Sequence, residues 1–216
     1  MTAFRGIVFD LDDTLFDHTS SATSGVRSLL SELEIVATDN LIAEWFAIER
    51  VHFDSWLAGQ VSHQDQRRNR LRSFYPLLGL PLPDDLDLAY DVFLRCYRQQ
   101  WAAFEDARPA LELARSNDLR IGVLTNGSTT QQTAKLAAIG LAELVDVVCT
   151  SELLGVGKPA PEAYRLTCEA LGVEPAETLM IGDNHELDVV GARLAGLSAV
   201  HLDRAAGDTL IELMTR

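Results

Sequence analysis

Four short apolar runs, each ending in polar residues, constrain this chain more than any other feature. They are Gly6-Ile7-Val8-Phe9-Asp10, Arg120-Ile121-Gly122-Val123-Leu124-Thr125, Asp146-Val147-Val148-Cys149-Thr150 and Thr178-Leu179-Met180-Ile181-Gly182-Asp183. A fifth, Ser198-Ala199-Val200-His201-Leu202, follows soon after. Runs this short and this rich in β-branched and aliphatic residues predict strands covered on both faces. Helical patterns lie between them, over Thr129 to Ile139, Pro159 to Leu171 and Leu187 to Ala195, with Gly140, Gly172 and Gly196 placed to end each one. Strand–helix alternation of this kind predicts an α/β fold with a doubly wound, parallel, Rossmann-like sheet.

The stretch from Asp17 to Phe104 breaks that rhythm and reads as helix after helix: Ser20 to Leu33, Asp39 to Leu57, His63 to Leu78 and Asp84 to Phe104. The stripe Leu41, Trp45, Ile48, Phe53, Trp56 has helical spacing and reads as core for a bundle. The expected organisation is a core built from residues 1–16 and 105–216, with an inserted α-helical bundle over 17–104. The joins near Phe16 to Thr19 and Phe104 to Arg108 are the expected hinges.

Composition removes several classes. The 216 residues are 47% hydrophobic and 23% charged, which excludes disorder, collagen-like repeats and a small disulfide-stapled scaffold. With 18 Lys+Arg against 32 Asp+Glu, a formal charge of -14 repels nucleic-acid polymers and anionic membranes. No apolar run approaches the ~18 residues of a membrane span, and no basic segment followed by an apolar stretch opens the chain. Cys96, Cys149 and Cys168 are widely spaced and read as buried free thiols. The expected compartment is cytoplasmic.

In open α/β sheets, ligands bind beyond the carboxyl ends of the strands. Acids stand at two such ends: Asp10-Leu11-Asp12-Asp13 after the first strand, and Asp183-Asn184-His185-Glu186-Leu187-Asp188 after the fourth. Converging carboxylates repel, so a divalent cation or raised pKa values must stabilise them. Hard oxygen donors without a Cys or His cluster point to Mg²⁺. Thr125-Asn126-Gly127 offers a hydroxyl and turn N–H groups to an anion. Gly157-Lys158-Pro159 precedes a helix whose first turn is expected to hold Pro159, so helix dipole and ammonium would both favour a phosphate at Lys158.

These four elements, in this order, resemble the signature of the haloacid dehalogenase-like (HAD) hydrolase superfamily, most of whose members are Mg²⁺-dependent phosphatases. The first motif is Asp10-Leu11-Asp12-Asp13-Thr14-Leu15, the second Leu124-Thr125-Asn126-Gly127, the third Lys158 in Gly157-Lys158-Pro159-Ala160-Pro161-Glu162, and the fourth Gly182-Asp183 followed by Asp188. The helical insertion falls between the first and second motifs, as in the subgroup with a helical cap there. The resemblance implies that Asp10 is the nucleophile and that Asp12 protonates the leaving alcohol, then activates water. It implies that Thr125, Asn126 and Lys158 bind the phosphoryl group. Asp10, the Asp12 carbonyl and Asp183 would hold Mg²⁺, and Asp188 would orient Lys158 or a metal-bound water. Asp13, Asn126 and Asn184 are expected to shape the loops.

Within the superfamily, an acid at Asp12 argues against carbon–halogen cleavage, and the absence of Lys from Asp17 to Phe104 argues against a phosphonatase. The implied activity is hydrolysis of a small phosphorylated metabolite, a nucleoside monophosphate among the candidates, by a monomer or homodimer. A phosphomutase or phosphotransferase, or a non-catalytic phosphate-binding protein, are the alternatives. Arg67, Arg68, Arg70 and Arg72 in the insertion read either as a second anion site or as a solvated helix face, and charge runs favour the latter. Trp45, Phe53 and Trp56 read as bundle core, and His18 as structural or within reach of substrate.

Overall fold

The first strand, β1 (Gly6–Phe9), is buried along its whole length, as a central strand must be. In the computed structural model, which describes residues 4–215, it is paired on both edges by parallel neighbours. The other strands are β2 (Arg120–Thr125), β3 (Val147–Thr150), β4 (Thr178–Gly182) and β5 (Ser198–His201). All pairings are parallel and the spatial order is β3-β2-β1-β4-β5, so the fold is a doubly wound α/β sheet. The register sets Phe9 opposite Val123 and Ile181, and Asp10 therefore emerges at the carboxyl end, where the chain diverges to either side.

The chain forms two compact units, one made of the residues up to His18 and from Ala102 onward, the other of Thr19 to Trp101. The second unit is helical: α1 (His18–Glu32), α2 (Asp39–Leu57), α3 (His63–Leu77) and α4 (Leu86–Arg98). Three begin at a hydroxyl or carboxylate cap: Thr38 accepts from Leu41 N, Ser62 from Asp65 N, and Asp85 from Asp87 N and Leu88 N. Trp45 is its aromatic centre, packed on Phe74 and Phe93 at ring separations of 5.0 and 4.4 Å. Phe53 and Trp56, expected beside it, are only half-buried. The predicted helix Asp84 to Phe104 is shorter at both ends. Asp85 caps its start, and after Arg98 the chain returns so that Ala103 bridges Phe16 and Asp17 N donates to Ala102 O.

Around the sheet run α5 (Ala107–Ser116), which sequence periodicity left undescribed, α6 (Thr129–Ala138), α7 (Ser151–Leu154), α8 (Pro161–Leu171), α9 (Gly191–Leu194) and α10 (Leu210–Thr215). One face of the sheet presents Val8, Leu124, Cys149 and Met180 to Tyr164, Cys168 and Leu171 of α8 and to Ala192 of α9. Approach there is close: a Cβ on Gly122 would lie 2.8 Å from Leu171 Cδ1. Cys96, Cys149 and Cys168 are buried free thiols, as expected. Among the described residues, no helix is long and apolar enough to cross a membrane.

Candidate active site

The two acidic loops meet. Oxygen atoms of Asp10, Asp183 and Asp188 all lie within 4.8 Å of one another. Asp10 follows β1, Asp183 follows the neighbouring β4, and Asp188 is delivered by a wide π-type turn, His185–Val190, in place of the regular helix predicted from Leu187. That turn is fixed by its own acid. Asn184 N donates to Asp188 Oδ2 (3.0 Å), Asp188 N donates to Asn184 O (2.7 Å), and Leu187 N donates to Asn184 Oδ1 (3.0 Å). Wide turns of this kind are uncommon and concentrate at functional sites.

Lys158 is the cation inside this acidic group. Its Nζ donates to Asp10 Oδ1 at 2.5 Å and Asp188 Oδ1 at 2.6 Å, with all three side chains buried. The helix expected to start at Pro159 starts at Pro161 instead, with Ala160 as its cap, so Lys158 lies in the loop before it. Pro161, not Pro159, takes the first helical position that suits a residue without an N–H. What aims Lys158 is Asn126: its Oδ1 accepts from Lys158 N and its Nδ2 donates to Lys158 O, both at 2.8 Å. A Cβ at Gly157 would lie 2.6 Å from Asn126 Oδ1, so only glycine lets the two loops close this far.

Electrostatics follow from crowding. Burial pushes the Asp10 carboxyl well above its usual range; Lys158 opposes this, while Asp188 and Asp183 add to it. Burial together with Asp188 and Asp13 lifts Asp183 to about 6. Burial pulls against the Lys158 ammonium, but Asp10 and Asp188 outweigh it and hold the proton on firmly. One lysine thus leaves the three carboxylates under-neutralised. Three hard oxygen donors around that deficit fit a divalent cation such as Mg²⁺.

Asp12 faces another way, and its carboxylate is outside the acidic trio. Its Oδ1 accepts from Lys135 Nζ at 2.6 Å and its Oδ2 from Gln132 Nε2 at 3.1 Å. Burial raises the Asp12 pKa, but Lys135 and then His18 reverse this, leaving it below the usual carboxylate range. Gln132 Nε2 also donates to Thr125 Oγ1 at 2.7 Å. Asp13 takes a left-handed conformation, φ 60°, with its N–H on Phe16 O. Thr14 Oγ1 accepts from Asp183 N at 3.1 Å and ties the two acidic loops together.

Sequence reasoning missed Gln132 and Lys135. Their signal is a Gln and a Lys three residues apart on the face of α6 that is otherwise buried. It also misjudged the arginine run. Arg70 is not solvated but 5% exposed, donating to Glu49 Oε1 at 2.6 Å and Tyr90 Oη at 3.2 Å. Arg68 grips Asp87 through two nitrogens, at 2.7 and 2.6 Å, and also reaches Asp65. Arg72 donates to Asn69, and Arg67 lies over the Tyr90 ring at 5.5 Å. Acceptors on α2 and α4 absorb the charges of Arg68 and Arg70, because a helix inside a bundle meets partners on more than one face, while Arg72 stays exposed.

A doubly wound sheet with clustered acids, a buried lysine and a Thr-Asn-Gly turn at its carboxyl edge defines a class, and comparison names it. The model of the haloacid dehalogenase-like hydrolases matches residues 4–196, and the chain belongs to that family. It is 30% identical over 200 residues, 91% of this chain and 84% of the other, to a Halopiger xanaduensis protein named ribulose-1,5-bisphosphate 5-phosphatase. A Thermus thermophilus phosphoserine phosphatase is 42% identical over 107 residues, and this match spans 50% of the present chain and 43% of that one. In structure, the chain is similar to the HAD hydrolase YfnB from Bacillus subtilis, solved bound to magnesium. The TM-score is 0.80 at 23% identity, over 93% of this chain and 89% of that one.

Proposed function

We propose that the chain is a Mg²⁺-dependent phosphatase that hydrolyses a small phosphorylated metabolite through an aspartyl-phosphate intermediate. The observation that carries this reading is the pairing of an acidic trio, two of whose members, Asp10 and Asp188, are buried and bridged by Lys158, with a separately held acid, Asp12, two residues beyond Asp10. Relatives named as phosphatases support it. A cytoplasmic location accords with three buried, unpaired thiols.

Asp10, Asp183 and the carbonyl of Asp12 would hold the Mg²⁺. When bound, the cation offsets repulsion between the acids and a phosphate dianion. In the first half-reaction an Asp10 oxygen bonds to phosphorus as the bond from phosphorus to the leaving oxygen breaks, and Asp12 passes that oxygen a proton. In the second, water attacks the phosphorus of the aspartyl phosphate and gives its proton to Asp12, restoring Asp10 and releasing phosphate. Thr125 and Lys158 bind the phosphoryl oxygens, where transition-state charge collects. Asn126 acts by fixing Lys158, and Asp188 by sharing its ammonium with Asp10.

The depressed Asp12 is the ionised form that the second half-reaction needs. For the first it must carry a proton, and an incoming dianion beside it raises its proton affinity. An acid at this place favours phosphoryl transfer over dehalogenation. The helical unit, 17–104 in sequence terms, is proposed as the cap that reads whatever the phosphate is attached to. The test is hydrolysis of p-nitrophenyl phosphate by wild type and Asp10→Asn, with Mg²⁺ and with excess EDTA. Turnover that needs the metal and vanishes in the variant is expected; metal-independent turnover retained by Asp10→Asn would refute the proposal.

A further inference from the structure

We infer that Lys135, outside all four motifs, is a positioning residue for Asp12, and that removing it slows leaving-group departure while sparing phosphate binding. The inference rests on the phosphatase reading. Lys135 lies in the last turn of α6, its side chain is 2% exposed, and its ammonium sits 2.6 Å from Asp12 Oδ1 and 4.8 Å from the centre of the Phe16 ring. Burying an ammonium is unfavourable until a partner offsets the lost hydration. An apolar side chain of similar length would fill the same space without that cost. What the cation adds is control of Asp12.

That control is two-pointed. Lys135 holds one carboxylate oxygen, Gln132 holds the other, and rotation of the carboxyl group is blocked. Gln132 and Lys135 project from one face of α6, and α6 begins at the Ser128 cap immediately after Thr125-Asn126-Gly127. The helix therefore carries a fixed geometry from the phosphate-binding turn to the proton-transferring acid. Thr125 Oγ1 and Asp12 Oδ2 even share a single amide nitrogen of Gln132. Gly127 makes room for that amide, since a Cβ there would lie 3.0 Å from Gln132 Cγ and Cδ. An acid aligned in advance delivers its proton without first losing orientational freedom.

The step affected is the first: the Asp10–phosphorus bond forms, the bond from phosphorus to the leaving oxygen breaks, and the proton of Asp12 goes to that oxygen. A p-nitrophenolate departs as a stable anion with little need for the proton, whereas an alkoxide requires it. Wild type, Lys135→Met, Asp12→Ala and the double variant are compared on p-nitrophenyl phosphate, read in the first-turnover burst, and on glycerol 2-phosphate. Lys135→Met should lower kcat on the alkyl ester by about tenfold to a hundredfold, a part of the roughly 10²–10⁴-fold that a general acid supplies, since Asp12 itself remains. Its p-nitrophenolate burst should stay within about threefold of wild type, with KM little changed. In the Asp12→Ala background the same substitution should cost no more than about twofold, because a residue acting through Asp12 has nothing left to act on.

Equal losses on both esters, or a further large loss in the Asp12→Ala background, would overturn the inference while leaving the phosphatase reading intact. Wild type inactive on both esters would remove that reading and the inference with it. Thermal melts confirm folding, and Lys135→Gln, which keeps a donor without the charge, replaces Lys135→Met in every comparison if the latter does not fold.

Discussion

Gly182 closes β4 directly beneath the acidic group, and replacing it with alanine tests how tightly that group is packed. A Cβ there would stand 2.6 Å from Asp188 Cβ and nearer still to its carboxyl group. Ordinary contact begins at 3.4 Å, so Asp188 must retreat by at least about 0.8 Å, an overpacking that typically costs ~1–3 kcal/mol. Retreat also stretches the 2.6 Å bond from Lys158 toward breaking, and a hydrogen bond to a charged group is worth about 1.5–3 kcal/mol. Together, a loss of about 3–5 kcal/mol is expected, the scale of a buried charge pair deprived of a partner. Urea unfolding followed by far-ultraviolet circular dichroism measures it, as a lower midpoint at unchanged slope. Gly59→Ala is the control: that glycine has φ +70° but open space around it, so only the conformational penalty of about 1 kcal/mol applies. Adding Gly182→Ala to Asp188→Gly should cost far less than in wild type, since the obstructing side chain, its Cβ included, is gone. If Gly182→Ala stays within about 1 kcal/mol of wild type, the packing argument is wrong.

Three further outcomes are expected. Lys158→Met leaves Asp10 and Asp188 buried without their cation and should destabilise the protein by about 3–5 kcal/mol, seen in the same unfolding experiment, while abolishing turnover. Arg70→Met removes the buried guanidinium that donates to Glu49 and Tyr90 and should destabilise the helical unit by about 1.5–3 kcal/mol, and the double change with Glu49→Leu should recover part of it. The pair of Arg68 with Asp87 has a definite pH signature: hydrogen bonds from Arg68 and Gln64 hold Asp87 at about 2 against an ordinary 3.8. A depressed carboxylate stabilises the fold above its unfolded value and loses that contribution as pH falls through the folded one. The stability difference between wild type and Asp87→Asn should therefore close between about pH 4 and pH 2, as followed by acid-range melts.

The sheet was legible because a strand buried on both faces leaves an unbroken apolar run, and β2 spans Arg120–Thr125 as its run predicts. The meeting of Asp10, Asp183 and Asp188 was legible for a related reason, since parallel strands send all their carboxyl ends to one edge. Lys135 was not legible, because a lysine on a helix reads as solvated unless its partner is known, and Asp12 is 123 residues away. The start of α8 was misplaced because Pro159 and Pro161 both suit a helix entrance, and only the Asn126 clasp shows that Lys158 belongs to the loop. Arg70 was misjudged on the same principle: spacing along one helix does not reveal what the neighbouring helices offer it.

The place of β1 in the sheet has a consequence for how the chain reaches its native state. Emerging early, β1 has no partner on either edge until β2, about 110 residues later, arrives to pair with it. Closing a disordered loop of that length carries a chain-entropy cost that grows by about 0.6 kcal/mol per doubling. Once Thr19 to Trp101 has collapsed into its own bundle, Phe16 and Ala103 stand side by side, and the effective loop shrinks to about two dozen residues. Rather more than two halvings lower the entropic barrier by roughly 1.3 kcal/mol, about tenfold in rate. If they collapse first, the inserted helices act as a folding clamp, and a circular permutant that opens the chain within them should form its sheet about tenfold more slowly in stopped-flow refolding.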